Sequence, residues 1–365
     1  MRLSSTLSAY ISRQFLIGIG IVLFALTALI LVFDLVELAR RAASSSGGGT
    51  LIVVKMALLH LPYMAQRVVP YAVLIGVMLT LARMTRTSEL VVARASGTSV
   101  WQFLLPGLGL CAALGIFLVT VFNPLAAALL SRYEQLDAKH IRGQVSNLAV
   151  STAGLWLRQA DAAGESVIHA LRITEPELTL HDVIIFRYEG SDRFVERIDA
   201  DTAKLEAGHW LLRNALITGP DRTATRRDQH RFETHLTIGQ IQDSFASPET
   251  LSFWQVPGFI ALLERAGFSA LKHRVHWHSV LAGPLLLCAM VLIGASFSLR
   301  MTARQGGAGL LITAGVFVGF LFYVFSDIVM ALGISASIPV VLAGWSPGVV
   351  AALLGVAMLL HIEDS

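Results

Sequence analysis

Charged residues are scarce in this chain of 365 residues: they make up 15% of it, whereas hydrophobic residues make up 55%. Soluble domains carry about 25% charged residues, so the composition indicates an integral membrane protein. The formal net charge of +3 gives no sign of a nucleic-acid-binding protein. The chain has two cysteines, Cys111 and Cys288, both in apolar runs. We interpret them as small buried side chains rather than a disulfide or a metal pair.

Sequence motifs of several enzyme classes are missing as well. The chain holds no G-x-x-x-x-G-K-[ST] nucleotide-binding loop, no H-E-x-x-H and no G-x-S-x-G. The histidines at 273, 276 and 278 do not share one helical face, which disfavours a metal site. We therefore expect no cofactor in this chain.

Six stretches are long and apolar enough to span a membrane, near 15–36, 66–84, 100–123, 279–299, 308–332 and 337–360. About 130 residues of different character separate the third from the fourth. Alternating apolar and polar residues there predict β-strands near 167–173, 182–188, 194–200, 202–218 and 231–239. The predicted fold is a membrane α-helical protein with six transmembrane helices and an inserted antiparallel β domain, a sandwich or jelly roll.

This layout predicts three parts of the chain. Residues 1–134 hold spans one to three, with a short surface helix at 88–97, and residues 135–248 form the β domain. Residues 249–365 hold a linking amphipathic helix near 249–267 and spans four to six. On the inner face of the β domain we expect Val183, Ile185 and Phe186.

Arginines set the predicted orientation of the spans. Those that flank the spans on one side are Arg2, Arg13, Arg83, Arg86, Arg94, Arg300 and Arg304. Because short basic segments stay cytoplasmic, both termini should lie in the cytoplasm and the β domain on the opposite side, the periplasm of a Gram-negative cell. Basic residues also occur at the outer ends of spans one and four, against this bias.

The segment "SELVVARASG" at 88–97 interrupts two membrane-grade stretches. Ser88 can cap a helix and Gly97 can end it, which leaves a helix of roughly 12 Å. Such a helix must lie along the cytoplasmic face. It is either a solvated connector or a coupling helix that docks into another protein with an apolar ridge of Leu90, Val91 and Val92.

Four features together resemble the LptF/LptG family of lipopolysaccharide export permeases. They are "YISRQFL" at 10–16, "SELVVARASG", the three-plus-three span layout around a β domain, and "GFLFYVFSDI" at 319–328. The resemblance covers essentially the whole chain, and it is stronger to the LptG branch of that family.

The resemblance implies a permease subunit of an ABC transporter in the bacterial inner membrane. Its partners would be a second, LptF-like permease, an LptB-like ATPase dimer that uses ATP and Mg, and an LptC-like bitopic protein. The complex would extract lipopolysaccharide and pass it to a periplasmic β-jellyroll bridge. Glu89 and Arg94 would then face the ATPase, with Leu90 on the docking ridge.

The resemblance also implies that Arg40 and Arg41 bind lipid phosphates, for which the planar guanidinium is suited. Asp34 stands where relatives can have another basic residue. Without the resemblance, the two arginines are equally an interfacial snorkelling pair. Glu37 either pairs locally with Arg40 or Arg41 or, together with Asp34, tunes the lipid site.

Further polar residues near the membrane are candidates for lipid contact. We expect Arg67 to face a cavity or the headgroups, and Lys272 or Arg274 could pair with Asp327 in span five. Phenylalanines could line an acyl-chain wall or simply face lipid or a neighbouring helix: Phe15, Phe24, Phe317, Phe320 and Phe322.

Two further classes of function remain open. A secondary transporter normally shows inverted repeats and broken helices at the midplane, and a large β insert would be unusual in one. An intramembrane lipid-modifying enzyme needs a nucleophile with a base, or paired acids, at membrane depth, whereas the acids here stand singly.

Overall fold

A computed structural model of the chain describes residues 5–43, 50–95, 99–138, 148–151, 154–161, 164–174, 179–189, 193–206, 208–221, 223–234, 247–265, 269–302 and 308–363. The chain divides into two compact units. The first is helical and comprises Met1–Arg142, Glu249–Phe253 and Arg274–Ser365; the second comprises Gly143–Pro248 and Trp254–His273 and contains the sheet.

The helices occur in chain order as α1 (Ser5–Ala43), α2 (Thr50–Arg86), α3 (Glu89–Ala95), α4 (Val100–Phe117), α5 (Asn123–Asp137), α6 (Val256–Arg265), α7 (Leu271–Leu281), α8 (Gly283–Thr302), α9 (Ala308–Ile334) and α10 (Val340–Glu363). Five helical segments of the described residues are long and apolar enough to cross a membrane. The helices α7 and α8, which meet at 50°, make a sixth. The described helices thus supply five spans, or the predicted six when this bent pair is counted as one.

The helices α1 and α2 extend well beyond the predicted spans. With 39 and 37 residues, they are about 58 and 55 Å long, against about 30 Å for the hydrocarbon core. The helix α2 starts 16 residues before the predicted span at 66–84, and Pro62 and Pro70 both lie inside it. Packed neighbours can compensate a missing backbone donor in a membrane helix, so proline does not end it.

Two prolines do change the course of a helix. Before Pro124, the backbone between α4 and α5 forms a π-helical turn at Leu118–Phe122. Pro284 follows the break between α7 and α8, where its ring excludes the carbonyl four residues earlier from normal helical geometry. Both irregularities therefore have a local cause in the sequence.

Close backbone contact joins α1 to α2. A Cβ added at Gly76 would lie 2.7 Å from Ile19 Cα and 2.9 Å from Ile19 N. One turn further, Thr80 donates a hydrogen bond from Oγ1 to the Gly76 carbonyl (2.7 Å). The second half of α2 is the most buried membrane segment, and side chains such as Val73, Val77 and Leu81 form its main core.

The second unit is one antiparallel sheet whose seven strands lie in sequence order. The strands are β1 (Leu148–Ser151), β2 (Gly154–Asp161), β3 (Gly164–Thr174), β4 (Thr179–Glu189), β5 (Arg193–Glu206), β6 (His209–Thr218) and β7 (Ala224–Glu233). The inserted antiparallel β domain is thus confirmed. The sequence pattern did not predict β1 and β2, and the single predicted segment 202–218 is the end of β5, a turn at Gly208 and β6.

The sheet buries one face of alternating side chains. Val183 and Ile185 are buried as predicted, but Phe186 points to the opposite face, where Arg197 lies 5.6 Å from its ring centroid. The prediction for Phe186 was wrong because successive strand residues alternate sides. The buried face packs around Trp210, and Leu263 of α6 belongs to the same core.

A polar contact brings β2 to the end of β7. Gln159 donates from Nε2 to the Glu233 carbonyl (3.1 Å), and Thr234 Oγ1 donates to Gln159 Oε1 (2.7 Å). The sheet is therefore curled, and its two ends approach each other without forming a closed barrel ladder. The linking helix expected near 249–267 is shorter in the structure: a 3₁₀ turn at Pro248–Thr250 precedes α6.

Gly76→Ala should destabilise the helical unit, because its new methyl group would meet the backbone of Ile19 rather than a movable side chain. We expect a loss of about 1–3 kcal/mol, seen as a lower midpoint of thermal unfolding in detergent. Gly20→Ala is the matched control, since a Cβ there meets nothing within 4 Å. Alanine is the better helix former, so the control should hold or raise the midpoint. Equal midpoints for both variants would contradict the close contact.

Candidate functional site

The helix α3 is joined to the start of α1 by hydrogen bonds to one carboxylate. Tyr10 donates from its hydroxyl to Glu89 Oε2 (2.9 Å), and Thr87 Oγ1 donates to Glu89 Oε1 (2.8 Å). Ser88 takes the predicted N-cap position, with its carbonyl accepting from the Val92 N–H, and has a left-handed φ of 60°. The seven residues of α3 are thus held in place at both the backbone and the side-chain level.

We predicted that the apolar residues of α3 form one docking ridge, but Leu90 and Val92 differ in exposure. Leu90 is buried in the core of the helical unit, whereas Val92 is 68% exposed. Leu90 therefore anchors α3 to its own chain and is not available to a partner. The side chains of Val91 and Arg94 lie outside the described residues.

The two arginines at the end of α1 share one carboxylate. Arg40 contacts Glu37 through Nε and Nη2, both at 2.9 Å, and Arg41 Nε donates to Glu37 Oε1 (2.8 Å). This is the local pairing that we considered for Glu37. All three side chains are well exposed, with 74% for Arg40, so the ion pairs contribute little to stability and can exchange for another anion.

Asp34 does not join the arginines but pairs with His60 of α2. The His60 Nδ1 atom lies 3.1 Å from Asp34 Oδ2, and both side chains are largely buried, with 11% and 19% exposed. The His60 ring stacks on Tyr133 of α5, with centroids 4.5 Å apart and planes 9° apart. We missed His60 in the sequence; its signal is a polar residue with apolar neighbours on both sides in the first half of α2.

Arg67 lines a cavity of the helical unit, and its predicted contact with lipid stays a prediction. The cavity has a volume of about 220 Å³ and is bounded by α2, the π-helical turn with α5, the α7–α8 bend and α9. The Arg67 guanidinium lies 5.7 Å from the centroid of the Tyr63 ring.

The other charged candidates near the membrane lie on two later helices. Lys272 and Arg274 are exposed on α7, and Asp327 is exposed on α9. The predicted pairing of Asp327 with Lys272 or Arg274 stays a prediction.

The phenylalanines divide into two groups. Phe15 is fully buried, and Gly107 of α4 lies so close that an added Cβ would come within 2.6 Å of the Phe15 ring. Phe15 therefore belongs to the core and not to an acyl-chain wall, and Phe322 packs partly against the same core. Phe24, Phe317 and Phe320 are exposed on α1 and α9.

In the β unit, the edge strand β7 carries a basic row of side chains. Arg226, Arg227 and Arg231 are exposed along it. Burial and the nearby Arg227 lower the pKa of His230, so this histidine is neutral at pH 7 and the charge of the strand comes from arginine. A row of like charges on an edge opposes pairing with another basic strand.

Together these features define a class. The chain is a multi-pass helical membrane protein with a short helix fixed at one end of α1, an exposed arginine pair at the other end, and an inserted β domain. The profile of the family described as "Lipopolysaccharide export system permease LptF/LptG" matches residues 9–361. The chain belongs to this family and is a lipopolysaccharide export permease of the inner membrane.

The relatives with curated names agree with this assignment. The lipopolysaccharide export system permease protein LptG of Escherichia coli K12 is 25% identical over 350 residues, which cover 93% of this chain and 94% of the relative. LptG of Haemophilus influenzae is 23% identical over 348 residues, covering 94% and 95%. The similarity includes both the helical and the β unit.

His60→Ala should destabilise the protein, because it leaves the largely buried Asp34 carboxylate without the imidazole and removes a ring from the stack on Tyr133. We expect a loss of about 1–3 kcal/mol, measured as a lower unfolding midpoint in detergent. Asp34→Asn in the His60→Ala background should then cost less than Asp34→Asn alone. Strictly additive effects of the two substitutions would show that the side chains are not coupled.

Proposed function

We propose that this permease works as one subunit of an ABC transporter. In the proposed complex, it pairs with a second, LptF-like permease, an LptB-like ATPase dimer and an LptC-like bitopic protein. The complex extracts lipopolysaccharide from the inner membrane and passes it to a periplasmic β-jellyroll bridge toward the outer membrane. The observation that carries this proposal is the family match over residues 9–361, which includes the spans, α3 and the β domain.

The proposed energy source is ATP hydrolysis by the partner. The sequence has no nucleotide-binding loop of its own, so ATP and Mg would be used by the ATPase subunit, and this chain would need no cofactor. The contact would be α3, which carries the exposed Val92 and the half-buried Glu89 at the arginine-rich end of α2. Arg94 completes the proposed contact, and Leu90 contributes by anchoring the helix.

The proposed lipid site lies at the other end of α1. Exposed apolar side chains follow α1 from Leu16 to Val36, and Arg40 and Arg41 come one turn later. A lipid that lies along this stripe would bring its phosphates to the arginines. In this proposal, the phosphate replaces Glu37 as the partner of both guanidinium groups, because a phosphate offers more acceptor oxygens and more charge.

The orientation of the permease is part of the proposal. The arginines Arg13, Arg83 and Arg86 lie at the end of the spans where α3 lies, which supports a cytoplasmic position for that end. The arginine pair of α1 would then be at the periplasmic side. The chain leaves α5 toward the same side, so the β domain would be periplasmic.

Glu89→Ala should weaken capture of the ATPase, because the side chain is proposed to orient α3 in the partner. We expect less ATPase subunit to copurify with the tagged permease, and slower lipopolysaccharide release from the membrane. Tyr10→Phe keeps the Glu89 carboxylate but removes the hydrogen bond from α1, so it tests the position of Glu89 without changing its charge. Glu189→Ala, on an exposed residue of β4, is the control. Full copurification by Glu89→Ala would refute the coupling role.

Arg40→Glu combined with Arg41→Glu should abolish photocrosslinking of lipopolysaccharide to a probe placed near the end of α1. The substitution turns a cationic pair into three neighbouring carboxylates together with Glu37, which repel phosphate. Arg13→Glu, on an exposed residue at the opposite end of α1, is the control and should crosslink like the wild type. Unchanged crosslinking by the double variant would remove this residue pair from the lipid site.

A further inference from the structure

The cavity that Arg67 lines is mainly apolar but holds charges of both signs. Arg67 comes from α2, and Glu249 comes from the segment that precedes α6. His276, Gln66 and Ser279 add hydrogen-bonding groups to the same wall. The remaining lining residues are mostly aliphatic or small, so a ligand must be largely apolar and carry a polar end.

This cavity lies beside the apolar stretch of α1. Ile19 of α1 is in contact with Gly76 of α2, and Asp34 of α1 pairs with His60 of α2, so the two helices run antiparallel. Arg67 lies between His60 and Gly76 along α2. At the same level along the helices, α1 carries its stripe of exposed apolar side chains, which extends over about 30 Å. Arg67 is therefore a charged residue beside this apolar stretch, about 10 Å along α2 from His60, and its side chain is exposed.

Neither charge of the cavity is neutralised by an ion pair with any residue that the structure describes. The Arg67 guanidinium contacts the Tyr63 ring, and no described carboxylate lies within 4.0 Å of it. Glu249 likewise has no described cation within that distance. A charge without an ion-pair partner beside apolar membrane helices is costly, and such residues usually mark a ligand or ion site.

Contacts within the helical unit hold the segment that carries Glu249. The backbone N–H of Phe253 donates to Asn123 Oδ1 (2.8 Å), and Asn123 is 6% exposed. The Phe253 ring stacks on Trp277 of α7, with centroids 5.8 Å apart and planes 9° apart. The segment Glu249–Phe253 is thus fixed against α5 and α7, and it holds its carboxylate at the cavity.

We propose that this cavity binds a phospholipid with a zwitterionic phosphate–amine headgroup, of the phosphatidylethanolamine class. The phosphate would pair with Arg67, and the ammonium group would pair with Glu249. A purely anionic lipid would satisfy Arg67 but bring its charge toward the Glu249 carboxylate, which is unfavourable at low dielectric. A lipid that carries both charges neutralises both residues.

The size of the cavity fits part of such a lipid. About 220 Å³ is less than the 300–1,000 Å³ typical of pockets that enclose a whole ligand. The headgroup and the first part of one chain would occupy it, and the remaining acyl carbons would lie along the outside of the helices. The inference concerns a phospholipid within one permease and does not depend on the proposed contacts of lipopolysaccharide or the ATPase.

Native mass spectrometry of the full chain, with whatever partners copurify, tests this proposal. The probes are phosphatidylethanolamine and phosphatidylglycerol with the same acyl chains, each titrated into the detergent-solubilised protein. We expect tighter binding of phosphatidylethanolamine. Arg67→Gln should weaken the binding of both lipids about tenfold or more. Glu249→Gln should weaken phosphatidylethanolamine alone, so that the preference between the lipids disappears.

The controls separate charge from folding. Arg13→Gln and Glu189→Gln remove the same charges outside the cavity and should leave both affinities unchanged. Gly283→Leu keeps both charges but fills the cavity; a Cβ there meets only Val119 Cγ2, at 3.8 Å, so the helix can accept it. This variant should lose phosphatidylethanolamine binding while its elution volume and unfolding midpoint stay those of the wild type.

Any of three results would overturn the proposal. The first is equal binding of the two phospholipids by the wild-type chain, and the second is phosphatidylethanolamine binding that Glu249→Gln leaves unchanged. The third is displacement of phosphatidylethanolamine by lipopolysaccharide with dependence on Arg67 but not on Glu249, which would make the cavity part of the export path. Crosslinking of lipopolysaccharide near Arg40 is a separate measurement. Failure of the proposed transport function can therefore be distinguished from failure of the phospholipid proposal.

Discussion

The close packing of α1 against α2 is the contact on which both ends of the permease depend. Lipid tails give no hydrophobic drive for two apolar helices to associate, so association must come from close van der Waals contact and buried hydrogen bonds. At Gly76 the backbone of Ile19 comes within contact distance, and Thr80 is hydrogen-bonded beside it. Because this contact fixes the axial position of α1, it also sets which residues of α2 and α3 the two ends of α1 can reach.

Polar contacts lock α1 near both ends of its apolar stretch. Tyr10 holds Glu89 of α3, and Asp34 holds His60 of α2, about 36 Å further along α1. A displacement of α3 along the helix axis must therefore either break the Tyr10–Glu89 hydrogen bond or move α1. In the second case, it must also strain the Asp34–His60 pair, which lies two turns before the exposed arginines. The helix α1 can therefore couple its two ends through two identifiable contacts, Tyr10–Glu89 and Asp34–His60.

The sequence predicted most helices and strands, but it predicted less well which side of each helix packs inward. Six apolar stretches and alternating strands were found because span length and period two follow from single-residue hydropathy. The inward side of a helix was harder to predict: Phe15 packs into the core, and Leu90 of α3 is buried rather than exposed on a docking ridge. A membrane helix such as α1 is apolar all around, so composition does not show which side packs inward. The pairing of Asp34 with His60 is a contact between residues 26 positions apart, and it needs the helix register that Gly76 sets. Sequence spacing predicted only the ion pairs of Glu37 with Arg40 and Arg41, which lie about one helical turn away.

The cavity owes its existence to the two places where the backbone is irregular. A π-helical turn widens the helix before Pro124, and the chain bends before Pro284. Both leave backbone groups that regular helices would pair, and hydrocarbon offers them no hydrogen bonds. Irregular backbone at membrane depth is therefore tolerated where protein or a polar cavity surrounds it. The polar Asn123 lies at this turn and binds the Glu249–Phe253 segment, so the same irregularity that opens the space also holds a carboxylate beside it.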